Sequence, residues 1–246
     1  MMHLIGTAGW AIPRDVAHAF EAEGSALQRY ASRFGAVEVN SSFHRPHRRT
    51  TWERWRHSVP EAFRFSVKIP RIISHDRRLI DCAEPLARFL GEVDGLGDKL
   101  AVLLLQLPPK FAFEPAAAEA FFAAIARASD ATLVCEPRHP SWFEEQPDEM
   151  MRRMEVARVA ADPAPAPAAA IPGGWRGLTY RRLHGSPHMY RSSYDDGRIE
   201  PLGRELLAQG GDDAPAWCMF DNTASGAATG DALRLRDLLE GQSPRT

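Results

Sequence analysis

The chain has 246 residues and a mass of 27.3 kDa, the usual size of one closed α/β barrel. Apolar residues make up 44% and charged residues 25%, an ordinary globular composition with enough material for a core. The formal net charge of −2 argues against a global basic field toward nucleic acid or anionic membranes, while leaving room for a local basic patch. We expect one domain over residues 1–246.

Eight short apolar runs, bounded by Gly, Pro, Asn or Asp, predict eight buried parallel strands. In chain order they are Leu4–Ala8, Ala36–Asn40, Phe63–Lys68, Leu100–Gln106, Thr132–Glu136, Ala157–Asp162, Gly177–His184 and Ala216–Asp221.

Amphipathic stretches between these runs predict helices. Ser25, and either Thr50 or Thr51, can cap a helix, and Pro85 and Pro115 suit a first helical turn. Further helices are predicted at Ala116–Ala128, Asp148–Glu155, Leu202–Ala208 and Gly230–Glu240.

Strands that alternate with helices predict right-handed βαβ units, and eight of them favour a single (β/α)₈ TIM barrel over an open doubly wound sheet. No glycine-rich dinucleotide fingerprint follows the first strand, so no nucleotide cofactor is expected. Residues 164–174 form a Pro/Ala-rich run with no helical period. We predict an irregular loop there, with the sixth helix missing or reduced to one turn.

The cysteines and the N-terminal residues indicate the cellular compartment in which the protein is expected. Cys82, Cys135 and Cys218 are far apart and odd in number, which is typical of reduced thiols, and we expect Cys135 and Cys218 to pack inside strands. The N-terminal residues lack the basic and apolar regions of a signal peptide, and no run of eighteen apolar residues is present. We therefore expect a cytoplasmic protein with no membrane partner; its oligomeric state is left open.

In barrels of this kind the chemistry lies at the C-terminal strand ends and in the loops that follow. Side chains alternate between the two faces of a strand, so the apolar positions assigned to the helix-facing side leave a polar set facing inward. That set is Glu38, Asn40, Arg64, Ser66, Lys68, Gln106, Glu136, Arg158, Asp162, Arg182, His184 and Asp221.

Seven segments in the same order resemble the YecE-like family of uncharacterised proteins, also described as domain of unknown function 72. They are Ile5–Trp10 (IGTAGW), Val37–Phe43 (VEVNSSF), Phe63–Lys68 (FRFSVK), Leu103–Pro108 (LLLQLP), Glu136–Phe143 (EPRHPSWF), Arg182–Gly185 (RLHG) and Phe220–Thr223 (FDNT). The resemblance covers nearly the whole chain and implies a TIM barrel, but it implies no reaction. The family often has Tyr at the position of His44 and a basic residue at that of Ser186, so loop contacts are expected to differ.

Two interpretations of the acidic set remain open. Glu136, Asp162, His184 and Asp221 could together hold a divalent metal, since oxygen and nitrogen ligands suit such ions. The alternative is an ion-pair network with Arg138, Arg158, Arg182 and Lys68, because buried charges must be paired.

Individual residues also have alternative roles. Lys68 could anchor a phosphate, act as an acid–base group or nucleophile, or serve only as a partner of Glu38 or Gln106. His184 and His139 could transfer protons or be structural. Arginines at the strand ends could bind an anion, and aromatic residues could stack a ring or simply cover the barrel. These are Arg45, Arg71, Arg138, Arg182 and Arg191 for the first group, and Trp10, Phe43, Trp142, Tyr190 and Tyr194 for the second.

The favoured hypothesis is an enzyme that hydrolyses a phosphate-bearing, nucleotide-like or nucleic-acid-like substrate by acid–base or metal-assisted chemistry. A sugar isomerase or hydrolase acting on a neutral substrate, and a non-catalytic barrel that binds nucleic acid or another ligand, are the alternatives. The predicted catalytic residues are Lys68, Glu136, Asp162, His184 and Asp221. The predicted substrate-binding residues are Trp10, Glu38, Asn40, Arg45, Gln106, Arg138, His139, Trp142, Arg182, Tyr194 and Asn222.

Overall fold

A computed structural model describes residues 3–208 and 214–242 of the chain. Its strands are β1 (His3–Thr7), β2 (Ala36–Val39), β3 (Arg64–Lys68), β4 (Leu100–Gln106), β5 (Thr132–Glu136), β6 (Ala157–Arg158), β7 (Ala160–Asp162), β8 (Gly173–Gly174), β9 (Thr179–Leu183) and β10 (Ala216–Phe220). Its α-helices are α1 (Ala26–Ala31), α2 (Ser41–His44), α3 (Arg49–His57), α4 (Ala83–Val93), α5 (Pro115–Ala128), α6 (Glu145–Arg153), α7 (Asp196–Ala208) and α8 (Ala227–Gln242).

The fold is mixed α/β with parallel sheets. One sheet has the order β1-β10-β9-β7, and the other has the order β2-β3-β4-β5-β6-β8. Every pairing is parallel except that of β6 with the short β8. Because parallel strands all end at the same edge, their last residues gather on one side of the molecule.

Apolar residues pack on both faces of the strands, as expected for buried parallel strands. Between strands and helices lies a large cluster that includes Phe65, Leu103 and Cys135. The opposite face carries a smaller cluster that includes Val102, Val134 and Trp217. The smaller cluster lies on the strand face that also carries the polar side chains described below.

The structure confirms some of the predicted helix starts and contradicts one predicted cap. Ser25 caps α1 in a capping box with Gln28, as predicted, and Pro115 occupies the first turn of α5. The prediction that Thr50 or Thr51 caps α3 was wrong, because α3 begins at Arg49 with Arg48 at its capping position, and both threonines lie inside the helix.

The predicted sixth strand is divided at Val159 into β6 and β7. Its predicted orientation was wrong, since Ala157 and Val159 join the smaller apolar cluster. Arg158 instead faces α6, where its Nε lies 3.4 Å from Asp148 Oδ1 and its Nη1 donates to the carbonyl of Ala168. The segment 164–174 that follows contains a single 3₁₀ turn, Pro167–Ala170, and the two residues of β8.

Cys82, Cys135 and Cys218 are free and buried, and the last two lie in β5 and β10 as predicted. In the part of the chain that is described, no helix combines the length and apolar character needed to cross a membrane.

Candidate functional site

Arg182, near the end of β9, is the centre of a buried ion cluster. Its guanidinium is fully buried and donates two hydrogen bonds to Glu38 of β2, at 2.9 Å from Nε and 2.7 Å from Nη2. It also donates to Glu136 at the end of β5 and, over 2.9 Å, to Asp221 directly after β10. One planar cation thus joins three carboxylates from three strands, a task that suits the five fixed donors of arginine.

His184 connects two of the same carboxylates. Its Nδ1 lies 3.0 Å from Asp221 Oδ2 and its Nε2 lies 3.1 Å from Glu136 Oε1. Burial, the largest single effect, would lower the pKa of His184, but the charge of Glu136 and the hydrogen bonds to Asp221 and Glu136 together raise it. A doubly hydrogen-bonded imidazolium fits this geometry, because both ring nitrogens then act as donors.

Arg138 completes the group from the loop after β5. Its Nη2 donates to Glu136 over 2.9 Å. Burial disfavours ionisation of Glu136, yet Arg182, His184 and Arg138 hold its pKa well below the ordinary value. The pKa of Asp221 is lowered in the same way, mainly by Arg182 against the effect of burial.

Lys68, the last residue of β3, lies beside this cluster but, unlike the charged groups within it, pairs with no carboxylate in the described part of the chain. Its side chain is nearly buried, and no described residue forms a hydrogen bond or ion pair with its ammonium. Its Nζ lies 4.2 Å from the centre of the Phe43 ring, a cation–π contact. Burial, and then repulsion from Arg182, lowers the pKa of Lys68 to about 8.

A cleft of about 290 Å³ opens over these groups. The residues that line it are Asn40, Phe43, His44, Lys68, His75, Gln106, Tyr190 and Asp221. Asn40 donates to Asp221 Oδ1 over 3.3 Å, while its own Oδ1 is buried without a partner among the described residues. Burial, and then the charge of Lys68, lowers the pKa of His75 to about 4, so this ring is neutral near pH 7.

With His184 as the imidazolium that its two carboxylate contacts favour, the charges of the cluster do not cancel. The cations Arg138, Arg182, Lys68 and His184 then outnumber the carboxylates of Glu38, Glu136 and Asp221 by one. Since the two arginines and His184 already contact carboxylates, the excess lies on Lys68. The open side of the site is therefore suited to an anionic ligand group.

The structure does not bring Asp162 into this cluster. Its carboxylate pairs with Arg198 of α7, at 2.8 Å from both Nε and Nη2. The four predicted metal ligands are thus not together, and the Arg182 guanidinium lies against two of the other three. Within residues 3–208 and 214–242, no group of three or more His, Cys, Asp and Glu side chains is arranged to hold a metal ion.

Several predicted substrate contacts are placed in packing roles. Trp142 is fully buried and donates from its indole nitrogen to the carbonyl of Phe111. The Tyr194 hydroxyl bonds the Gly185 amide and the Asp162 carbonyl, and Asn222 bonds Asp231.

The remaining predicted contacts lie nearer the surface. His139 bonds Ser141 within its own loop. Trp10 packs edge-on against Trp55, with ring centres 4.9 Å apart. Arg45 is exposed and lines a second pocket, described below, whereas Gln106 does line the cleft.

Three contributors were missed by the sequence prediction. The Tyr180 hydroxyl bonds Glu38 and Ser66, at 2.9 and 2.8 Å, beneath Arg182. The sequence could have indicated Tyr180, because it lies two residues before Arg182 and so shares the same strand face. Asp231 of α8 and Arg198 of α7 lie on helices, where polar residues ordinarily face solvent, so no pattern distinguished them.

Parallel strands with a buried ion cluster and an open cleft at their C-terminal ends define a mixed α/β protein with a polar cleft where the strands end. The chain belongs to the DUF72 family: the family model described as "Protein of unknown function DUF72" matches residues 4–246. This confirms the resemblance found in the sequence.

Two curated relatives are both described as "UPF0759 protein YecE". The one from Escherichia coli K12 is 28% identical over 173 residues, which is 68% of this chain and 62% of the relative. The one from Escherichia coli O157:H7 is 31% identical over 110 residues, 45% of this chain and 39% of the relative. The matched region thus spans about three fifths of the first relative's length and two fifths of the second's.

Solved structures agree in fold. A DUF72 family protein from Enterococcus faecalis V583 matches with a TM-score of 0.81 at 20% identity, covering 97% of this chain and 96% of that one. A DUF72 family protein from Thermotoga maritima MSB8 matches with a TM-score of 0.78 at 21% identity, covering 98% of this chain and 100% of that one.

Proposed function

We propose that the two sheets close into one eight-stranded (β/α)₈ barrel whose C-terminal end holds the substrate. Two contacts support closure. Ala8 forms a parallel bridge with Glu38, and the Gly9 amide donates to the Glu38 carbonyl over 2.8 Å, which links the ends of β1 and β2. On the other side, β6 pairs with β5 while β7, one residue later, pairs with β9.

The activity we propose is hydrolysis of a phosphate-bearing substrate by acid–base chemistry in the cleft. The observation that supports it is Lys68, a nearly buried cation that faces the cleft without a carboxylate partner. Burying an unpaired charge is costly, and an anionic ligand offsets that cost. A phosphoryl group would supply several acceptor oxygens to the ammonium.

The neighbouring groups are suited to bind and to transfer protons. The carboxamides of Asn40 and Gln106 line the cleft and can bind the hydroxyls or ester oxygens of a substrate. Asp221 also lines it, so its carboxylate can accept a proton from attacking water and return that proton to the leaving oxygen, while the His184 imidazolium behind it orients the carboxylate. Arg182 and Glu136 fix the orientation of these two side chains. Because the predicted metal ligands are not assembled, we derive no step through a metal ion.

The test is a binding and turnover comparison. Methyl phosphate, phenyl phosphate, ribose 5-phosphate and AMP would be titrated by calorimetry, beside ribose and adenosine, and phosphate release would be followed. We expect the esters to bind and the neutral compounds not to. Lys68→Met should weaken ester binding by at least about tenfold, as expected for loss of a charged hydrogen-bonding partner. Asp221→Asn should retain binding but lose phosphate release.

Lys110→Met is the matched control, because Lys110 is an exposed lysine outside the cleft. It should leave binding and phosphate release unchanged. If Lys68→Met binds the esters as well as the wild-type chain does, the proposal is wrong. If ribose binds more tightly than ribose 5-phosphate, the site belongs to a neutral-sugar enzyme.

A further inference from the structure

A second pocket of about 340 Å³ adjoins the cleft. The two spaces share the side chains of Phe43 and His44 as lining residues. The ring of Phe43 also carries the contact with Lys68 Nζ, at 4.2 Å. An anion bound to Lys68 would therefore be separated from the second pocket by about the width of the Phe43 ring.

Most of the surface that lines this pocket is apolar. Trp52 of α3 and Phe89 of α4 are both buried and lie in the main core, and Pro85 is buried beside them. Pro46 and Pro70 add side chains that lose no conformational freedom on binding. Such a space, with mainly apolar lining surface and charged side chains around it, is typical of a site for a flat or apolar part of a small ligand.

Most charges at the rim of the pocket neutralise one another. Arg71 pairs with Asp76 at 3.2 Å, and Arg88 pairs with Glu92 at 3.1 Å. The second pocket therefore offers burial of apolar surface, whereas the adjoining cleft offers the positive charge. Ile72, 45% exposed, extends the apolar wall to the surface.

We infer that the substrate is an amphipathic phosphate ester, whose phosphoryl group binds at Lys68 and whose apolar ring occupies the second pocket. This inference rests on the proposed function and adds the class of the esterified group. A simple aryl group and a nucleobase share the required chemistry, a flat ring with apolar faces.

Phenyl and methyl phosphate form the decisive pair, because they differ only in the ring. We expect phenyl phosphate to bind about tenfold more tightly, from burial of the ring. Ile72→Asn should reduce this ratio to about threefold or less without changing the affinity for methyl phosphate. Ile80→Asn is the control, since Ile80 is also an exposed isoleucine but does not line the pocket, and it should leave the ratio unchanged.

AMP and ribose 5-phosphate form a second pair that distinguishes a nucleobase from a plain aryl group. A ring advantage in either pair that Ile72→Asn reduces supports the inference. No ring advantage in either pair, or one that both variants reduce equally, overturns it. The proposed function would survive that result as long as methyl phosphate binding still depends on Lys68, so the two failures are distinguishable.

Discussion

The charge balance of the site depends on Arg182. Replacing it by methionine would leave Glu38, Glu136 and Asp221 buried without their common partner, so we expect Arg182→Met to lower the free energy of unfolding by about 3–5 kcal/mol. Urea denaturation measures this. Arg181→Met on the same strand is the control. The one ion pair that it forms among the described residues, 3.5 Å to the half-exposed Glu205, should cost only about 1 kcal/mol. Equal losses would contradict the central role of Arg182.

Lys68 makes anion binding pH-dependent. Only the protonated amine attracts an anion, and its pKa in the empty site is about 8. The affinity for methyl phosphate should therefore be highest near pH 7, where the ester is mainly a dianion and Lys68 is mainly protonated, and fall as the pH rises through about 8 to 10. Calorimetric titration at several pH values measures it. Lys68→Arg should retain its affinity up to pH 10, because a guanidinium stays charged there. A wild-type affinity that is flat up to pH 10 would exclude Lys68 as the anchor.

The strand ends show how far a sequence alone can be interpreted. Glu38, Glu136, Arg182 and Asp221 were predicted to converge, and they do, because alternating side chains and a common parallel edge fix their direction. Which cation contacts which acid could not be predicted, since opposite charges at similar spacing are interchangeable in a sequence. Asp162 pairs with Arg198, which lies 36 residues further along the chain.

The sixth strand shows the limit of the alternation rule. Val159 was assigned to the helix-facing side because it is apolar, but the opposite face is also lined by apolar residues such as Val134 and Trp217. An apolar residue in a strand buried on both faces does not determine its orientation. Arg158 could then face α6, where Asp148 compensates its charge.

Tyr30 of α1 joins the two strands at the boundary between the sheets. Its hydroxyl accepts from the Thr7 amide of β1 over 2.8 Å and donates to the Ala36 carbonyl of β2 over 3.1 Å. Tyr30→Phe removes both bonds and a third, from Thr7 Oγ1 over 3.1 Å, and we expect a loss of about 1–3 kcal/mol in the free energy of unfolding. Hydrogen exchange of the Thr7 amide should accelerate beyond the global change.

Tyr194→Phe is the control for this effect. It also removes a buried hydroxyl with two backbone partners, but in the loop after β9. A comparable loss of stability with no selective change at Thr7 is expected. If both variants accelerate exchange of the Thr7 amide equally, Tyr30 does not hold β1 and β2 together.

The candidate site requires both sheets at once. Glu38, Lys68 and Glu136 come from the sheet that begins with β2, and Arg182 and Asp221 come from the sheet of β1 and β10. A ligand at this boundary should therefore stabilise the whole fold as one cooperative unit. At about 100 times its Kd, the tightest phosphate ester should add about 2.7 kcal/mol to the free energy of unfolding.

At that concentration the same ester should stabilise Lys68→Met by no more than about 1.4 kcal/mol, because the Kd of the variant is at least about tenfold higher. In the wild-type chain the signals from tryptophan fluorescence and circular dichroism should shift together. Two separated transitions, only one of which responds to the ester, would show that the sheets unfold independently. In that case the ion cluster around Arg182 would not couple them, and the closed barrel that we propose would be contradicted. A single shifted transition supports closure, because the ligand then stabilises strands of both sheets through one set of contacts.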